Sequence, residues 1–440
     1  MRFERLDDWL RWLESHHPTE IELGLARIRA VAERLDLLTP AARVISVAGT
    51  NGKGSCVAAC GALLEAAGCS VGTYTSPHLL RYNERIVIDG AFASDEELCQ
   101  AFARIDEASP DISLTYFEFG TLAALDIFQR RRVDVMVLEV GLGGRLDAVN
   151  ILDADVAIVT SVDLDHQDWL GNDRDSIGRE KAGIYRANRP ALCADPAPPE
   201  GLLVTAREQG VALQQLGSDF GFAIETDGWY WWGTGESGTA QSLMLPVPSL
   251  PWPSVAAALQ AVAQLGFEVN ALAEKAGLSS LTLAGRYQRF LWRGRTLIMD
   301  VAHNPAAARH LAERLAREAF PRTLALAAIM VDKDRVATLA PLVSEVGHWW
   351  LASLPDVPRA ASPGRLAGDL KELGVEADGC GTLGQAVDWL LSYSRPGDRI
   401  VVMGSFFTVG AAIAAWADRD ERLEPEVQPP EAEDTESLNE

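Results

Sequence analysis

No apolar run in this 440-residue sequence approaches the roughly 20 residues that a membrane-crossing helix requires. The first residues, Met1 to Trp9, also lack the apolar core of a secretory signal, so a cytoplasmic protein is expected. Cysteine is sparse: Cys56, Cys60, Cys69, Cys99, Cys193 and Cys380 are scattered without the paired spacing of a metal site, and reduced thiols are expected. Positive charge is in deficit, with 39 Lys and Arg against 62 Asp and Glu, a net charge of −23. Residues 421–440 supply −7 of this, so the body is acidic as well. Such a field opposes nonspecific binding to DNA, RNA or an anionic membrane, and anionic ligands need a locally basic site. There is no Gly-x-Ser-x-Gly elbow and no solenoid-type repeat, which leaves acyl-enzyme chemistry and repeat scaffolds without support.

A 48% apolar and 23% charged composition is that of a globular protein. The length exceeds what one core usually holds, so two domains are expected. Helical spacing runs through Trp9 to Leu13 and Ile21 to Leu35, and a strand follows over 43–48. A helix over 57–67 and apolar strands over 70–74, 133–140 and 156–160 then alternate as in a parallel α/β sheet. An aromatic-rich stretch, 220–232, reads as a β insertion or edge hairpin, followed by a helix over 255–265. A second α/β series begins near Thr282, with strands over 296–299, 323–329, 349–352 and 399–403. The expected division is 1–282, 283–418, and an acidic tail, 419–440, too poor in apolar residues to offset its ordering entropy.

The strongest chemical signal is Gly49-Thr50-Asn51-Gly52-Lys53-Gly54-Ser55, between the first strand and a helix. Glycines let backbone N–H groups surround phosphate oxygens, the helix start adds positive potential, and Lys53 can reach the terminal phosphates. Ser55 is placed to meet Mg²⁺. The spacing departs from the usual phosphate loop, since Val47 stands where the first glycine would be and Gly54 separates Lys53 from Ser55. Glu139 closes an apolar strand, and in open α/β sheets ligands bind beyond the carboxyl ends of strands. A carboxylate there can hold Mg²⁺ or simply face solvent. His166, in Asp163-Leu-Asp-His-Gln-Asp168, follows the next strand and suits either a metal or a structural role. Lys181 reads as a surface lysine on its own, and Ser76-Pro77-His78 as a turn or a substrate loop. In the second domain, Asp300 can accept from a ribose hydroxyl and His303 can meet a base. Arg286 can neutralise a γ-phosphate, and a capping turn is the competing, less favoured reading of the Asp300–Pro305 loop.

Together these motifs, with Ile21-Glu-Leu-Gly-Leu25, Leu114-Thr-Tyr-Phe-Glu118, Glu139 to Asn150 and Arg179 to Tyr185, resemble the folylpolyglutamate synthase and dihydrofolate synthase family of the Mur ligase superfamily. The resemblance covers nearly all of the chain except the tail. It implies a Mur-ligase-like P-loop domain with a mostly parallel sheet and a smaller Rossmann-like α/β domain. It further implies a ligase that adds L-glutamate to dihydropteroate and to reduced folates with ATP and Mg²⁺, two ions being expected. By that resemblance Ser76, Glu139, His166 and Lys181 are metal ligands, with Lys181 carboxylated on its amine. Lys53, Lys181 and His166 carry the catalysis. The nucleotide lies on Thr50 to Ser55, Ser254, Arg286, Asp300 and His303. The pterin substrate lies against Ile21, Glu22, Leu23, Thr115, Leu146, Asp147 and Ala148. The sequence departs from the family at Ser254, usually Asn, at Ala284, usually Pro, and at Ala328, usually Gly. A monomer without nucleic-acid or membrane partners is expected. The competing readings are another Mur-type ligase acting on UDP-muropeptides and a P-loop nucleotide-sensing module without catalysis.

Overall fold

The computed structural model describes residues 2–19, 21–419 and 421–426, and the chain divides into two compact units, Met1–Leu281 and Thr282–Glu440. Both are α/β. In the first unit the strands β1 (Arg43–Ala48), β2 (Val71–Tyr74), β3 (Ile86–Ile88), β4 (Ala91–Phe92), β5 (Val135–Glu139), β6 (Val156–Val159), β7 (Ala191–Cys193) and β8 (Leu213–Gln215) form one sheet. Its order is β4-β3-β2-β5-β1-β6-β7-β8. From β2 to β8 every neighbouring pair is parallel, and β3 and β4 add an antiparallel margin. β5 and β6 are buried along their whole length, as expected of aliphatic strands covered by helices on both faces.

The helix Lys53–Ala66 is buried nearly all round, and the alanine-rich helix Trp252–Gln264 packs against it. Small side chains at Ala256, Ala257, Ala258 and Ala261 let the two approach closely. Periodicity alone starts the first of these helices at residue 57, whereas it begins four residues earlier. Gly52 caps it in a left-handed conformation, and the leading Lys-Gly-Ser has no apolar signature. The aromatic stretch builds a three-stranded antiparallel sheet, β9 (Gly221–Glu225), β10 (Gly228–Thr234) and β11 (Ala240–Leu245), with Trp229 and Trp231 fully buried on one face.

The second unit contains β12 (Gln288–Trp292), β13 (Arg295–Asp300), β14 (Thr323–Ala327), β15 (His348–Ser353), β16 (Gly379–Thr382), β17 (Arg399–Met403) and β18 (Glu424–Pro425), in the order β16-β15-β14-β17-β13-β12-β18. The five strands from β16 to β13 are parallel, and β12 and β18 are antiparallel additions.

The first residues of the acidic tail differ from the expectation of disorder. Glu424 and Pro425 pair with Leu291 and Phe290, and Glu421 accepts from Trp292 Nε1 at 2.9 Å and from Arg293 Nε at 2.8 Å and Nη2 at 2.7 Å. Composition does not reveal this, because the partners lie far away in sequence. The rest of that expectation, residues 427–440, lies outside the described residues. Glu421→Ala leaves the fully buried Trp292 indole N–H without an acceptor and should cost about 1–3 kcal/mol. Glu424→Ala, at an exposed position, should stay within about 0.5 kcal/mol. Denaturant unfolding of the two variants checks this, and equal effects would refute the assigned role of Glu421.

Candidate active site

β1, at the centre of the first sheet, delivers the glycine loop between β5 and β6. A β-carbon at Gly49 would lie 1.9 Å from Thr160 Oγ1, and one at Gly52 would lie 2.5 Å from Ser254 Oγ. Only glycine fits at either place, and Gly52 also has φ +84°. The end of β6 then holds the loop in place. Thr50 N–H donates to Ser161 O at 2.8 Å, Asn51 N–H to Ser161 Oγ at 3.0 Å, and Thr160 Oγ1 donates to Asn51 O at 2.7 Å. Thr50 Oγ1 donates to Asp163 O and accepts from Asp163 N–H. Ser254, at the start of the helix Trp252–Gln264, donates to Gly52 O at 3.1 Å. Thr50, Asn51 and Ser254 thus shape the loop through its backbone. The N–H groups left without intrahelical acceptors are those of the helix start, at Lys53, Gly54 and Ser55. Lys53 Nζ donates to Gly49 O at 3.0 Å and Thr50 O at 3.2 Å, so its charge sits in the curve of the loop.

Ser55 Oγ is buried and has no hydrogen-bond partner. An orphaned hydroxyl at the start of this helix is a donor that a bound cation would satisfy. Glu139 ends β5 opposite Val47, and its carboxylate accepts the Ser76 N–H at 3.2 Å, so two of the expected metal-binding residues meet. His166 begins the helix Gln167–Leu170 with its ring 40% exposed and its Nε2 4.0 Å from Asp165 Oδ1. Among the described residues no three His, Cys, Asp or Glu side chains form a ready metal cluster. The expected set contains only two of that kind, Glu139 and His166, and draws its other donors from a hydroxyl and a lysine.

Lys181 lies on the helix Arg174–Ala182 and is buried at 3% exposure. Burial, reinforced by the Lys53 cation, lowers its amine from 10.5 to about 7, while Asp165 and Asp147 pull the other way. Lys181 therefore faces Lys53, Asp165 and Asp147, and is no surface lysine. Burial raises Asp147 to about 6 against the opposing effect of backbone N–H groups from Leu142, Val149 and Gly141 and of Lys53. Its carboxylate also caps the turn Ala148–Ile151 by accepting Val149 N–H.

The segments expected to hold the pterin are tied together. Gly24 N–H donates to Leu146 O at 3.3 Å, linking 21–24 to 146–148. Thr115 caps the helix Tyr116–Arg131 reciprocally with Glu118. Arg27 joins the two sides: Nη2 donates to Glu118 Oε1 at 3.1 Å and to Glu22 O at 2.9 Å, and Nη1 pairs with the Glu22 carboxylate. His17 accepts or donates at Ser113 Oγ through Nδ1, 2.8 Å, and donates through Nε2 to Glu22, 2.9 Å. Ile21 and Leu23 are half-buried, Glu22 is exposed, and Ala148 is buried. Sequence reading misses His17, Arg27, Thr160 and Ser161. Only the last two leave a trace, as polar residues directly after an apolar strand.

In the second unit Asp300 ends β13 and accepts N–H from Tyr287 and Ala302, each at 2.8 Å. Burial raises its carboxyl against the attraction of Arg286 and these two donors. Arg286 stacks on Phe406, 4.7 Å from ring centroid to Cζ. His303 Nδ1 lies 3.0 Å from Val301 O, and Asn304 caps the helix Pro305–Ala316. Arg286, in the turn before β12, and Asp300 and His303, at the end of β13, are thus brought to the same sheet edge by the Tyr287–Asp300 and Val301–Gly285 hydrogen bonds.

Residues 285–406 match the family model described as Mur ligase, glutamate ligase domain. The chain is 44% identical over 407 residues to the dihydrofolate synthase/folylpolyglutamate synthase of Escherichia coli (strain K12), covering 92% of this chain and 94% of that one. Among solved structures it is similar to Escherichia coli FolC in complex with DHPP and ADP, at 42% identity and TM-score 0.88, covering 95% of this chain and 99% of that one. It is also similar to a bifunctional folylpolyglutamate synthase/dihydrofolate synthase with Mn, AMPPNP and L-glutamate bound, at 44% identity and TM-score 0.87, covering 94% and 98%.

The folded state resists the charge on Lys181, so its cost is fully present below pH about 7 and fades as pH rises toward 10.5, where the unfolded chain also loses the proton. Lys181→Met, in bicarbonate-free buffer, should be more stable than the parent near neutral pH, with the gain shrinking on the way to about pH 10. Urea unfolding across that range checks it, and a difference constant with pH would contradict the assigned environment.

Proposed function

The chain belongs to the dihydrofolate synthase/folylpolyglutamate synthase family, and on that premise we propose that it is an ATP-dependent amide ligase. It joins L-glutamate to dihydropteroate and to reduced folates. The observation that carries this reading is the placement of Lys53 inside the glycine loop with Glu139 on the adjoining strand, held by Ser76 N–H. A phosphoryl group on the first N–H groups of the helix Lys53–Ala66 would have Lys53 on one side and a carboxylate for its metal on the other.

In the proposed reaction the substrate carboxylate attacks the γ-phosphorus of ATP, the bond to the β–γ bridging oxygen breaks, and an acyl phosphate and ADP result. The amine of glutamate then attacks the acyl carbon, and phosphate leaves with the bonding pair, giving the amide. No protein nucleophile is required. Lys53 and the helix N–H groups neutralise and orient the transferring group, which is where most of the rate enhancement arises. Mg²⁺, when bound, supplies Lewis-acid polarisation of the phosphate oxygens. Ser55, Ser76, Glu139, His166 and Lys181 are the residues proposed to hold it, with two ions as the family resemblance implies.

Support for a carboxylated Lys181 comes from its lowered pKa. Near pH 7 a large share of the amine is uncharged, and only the free amine adds to CO₂. Burial is the main reason the amine is depressed, with repulsion by Lys53 second, and the carbamate turns that repulsion into attraction by exchanging the cation for an anion. Arg286, Asp300 and His303 are proposed to receive the nucleoside. The substrate's pterin is proposed to lie against Ile21–Leu23, Thr115 and Leu146–Ala148. A cytoplasmic monomer belongs to the same reading.

Lys53→Ala and Glu139→Ala should each lower ligation of glutamate to dihydropteroate by at least about 10²-fold, comparable to removing one preorganised electrostatic group, while the circular-dichroism spectrum is unchanged. Product is assayed with dihydropteroate, tetrahydrofolate and a UDP-muramoyl peptide, each with and without glutamate. Turnover on the muropeptide alone would move the chain to another ligase activity. Nucleotide binding without any product would make it a sensing module, and full activity in either variant would overturn the site.

A further inference from the structure

The margin of the first sheet holds a cation that the proposed site leaves unused. Arg85 ends the 3₁₀ turn Tyr82–Arg85, and its carbonyl accepts Thr75 N–H at 2.9 Å. It therefore stands beside the residue preceding Ser76, two strands out from Glu139 and at the same carboxyl edge of the parallel strands. The residue is only 8% exposed, and its guanidinium lies over the rings of Tyr82 and Tyr116, with Cζ 5.3 Å and 5.5 Å from the centroids. Nε donates to His78 Nδ1 at 2.9 Å. Among the described residues Arg85 has no ion-pair partner.

A guanidinium cannot shed its proton, and a buried cation without a counter-charge is costly. The two ring faces offset part of that cost. Beside this hydrogen-bonded cation, which also interacts with the Tyr74 hydroxyl, a second polar group lacks a partner, for Tyr82 Oη is buried and unbonded. Tyr116 and His78 are half-buried and form the open side of the nest. Tyr116 directly follows Thr115, which is proposed to meet the pterin substrate. The nest thus presents a planar cation and a free phenol between aromatic rings, next to the proposed substrate and metal residues.

We infer that Arg85 anchors the carboxylate of the acid substrate, the group that is to be phosphorylated, with the substrate's arene against Tyr116. The guanidinium fork matches two coplanar carboxylate oxygens, and the flanking rings suit an aromatic acid better than a phosphate. This inference rests on the proposed ligase reading.

The test compares dihydropteroate with its carboxamide, in which the anion is replaced by a neutral group, for binding to the full chain by titration calorimetry. The parent protein should prefer the acid at least tenfold. In Arg85→Gln the affinity for the acid should drop at least tenfold, the acid-to-amide preference should vanish, and affinity for a non-hydrolysable ATP analogue should stay within twofold. Arg85→Lys, which keeps the charge and most of the packing, should fold as the parent does and lose most of the preference, and it decides the matter if the Gln variant unfolds. A preference preserved in both variants, or a parallel loss of ATP-analogue affinity, overturns the inference while leaving the ligase reading intact. A parent protein that binds neither acid nor amide overturns the substrate reading and this inference together.

Discussion

Contact between the glycine loop and the end of β6 sets the geometry of everything around it. Because β1 lies between β5 and β6, a loop leaving β1 has the tips of both neighbours within reach, and the chain uses them differently. The β6 side is structural: Thr160 and Ser161 occupy the backbone of Thr50 and Asn51, and Thr160 approaches Gly49 so closely that no side chain fits. The β5 side ends in Glu139, and the segment beyond β6 adds Asp165 and His166. Fixing the loop on the tip of β6 is what allows the charged groups around it to be held at constant distance, as preorganised electrostatics demands.

The charges around the loop are arranged against the field of the rest of the protein. In a chain of net charge −23, Lys53 and Lys181 are gathered where burial strengthens their mutual repulsion. Asp147 and Asp165 offset part of it. Asp147 is itself lifted to about 6 by its own burial, so the offset weakens as it takes up a proton. Such opposed shifts in one cluster mark functional sites more often than structural ones.

Much of the α/β architecture and the loop were legible in the sequence because both depend on local pattern: aliphatic runs for strands, glycines and a lysine between a strand and a helix. What escaped depends on distance in the chain. Nothing in the composition around Lys181 distinguishes it from a surface lysine, because its environment is made by Lys53 and by burial. Arg27 and His17 read as ordinary helix-end residues until Glu22, Ser113 and Glu118 are brought to them. The start of the helix Lys53–Ala66 lacked an apolar signature because those residues face the proposed phosphate position rather than the core. At the start of the tail the reason is the same distance in the chain, since Glu421 and Glu426 find their indole and basic partners on or beside β12.

That pairing near β12 also bears on how the chain can be handled. β18 covers part of a five-residue strand that would otherwise be a bare sheet edge, the kind of edge that recruits other chains. The opposite edge, β16, is shorter and carries Gly379 and Gly381, a poorer template. A cut made before Glu421 would therefore turn a covered margin into an adhesive one.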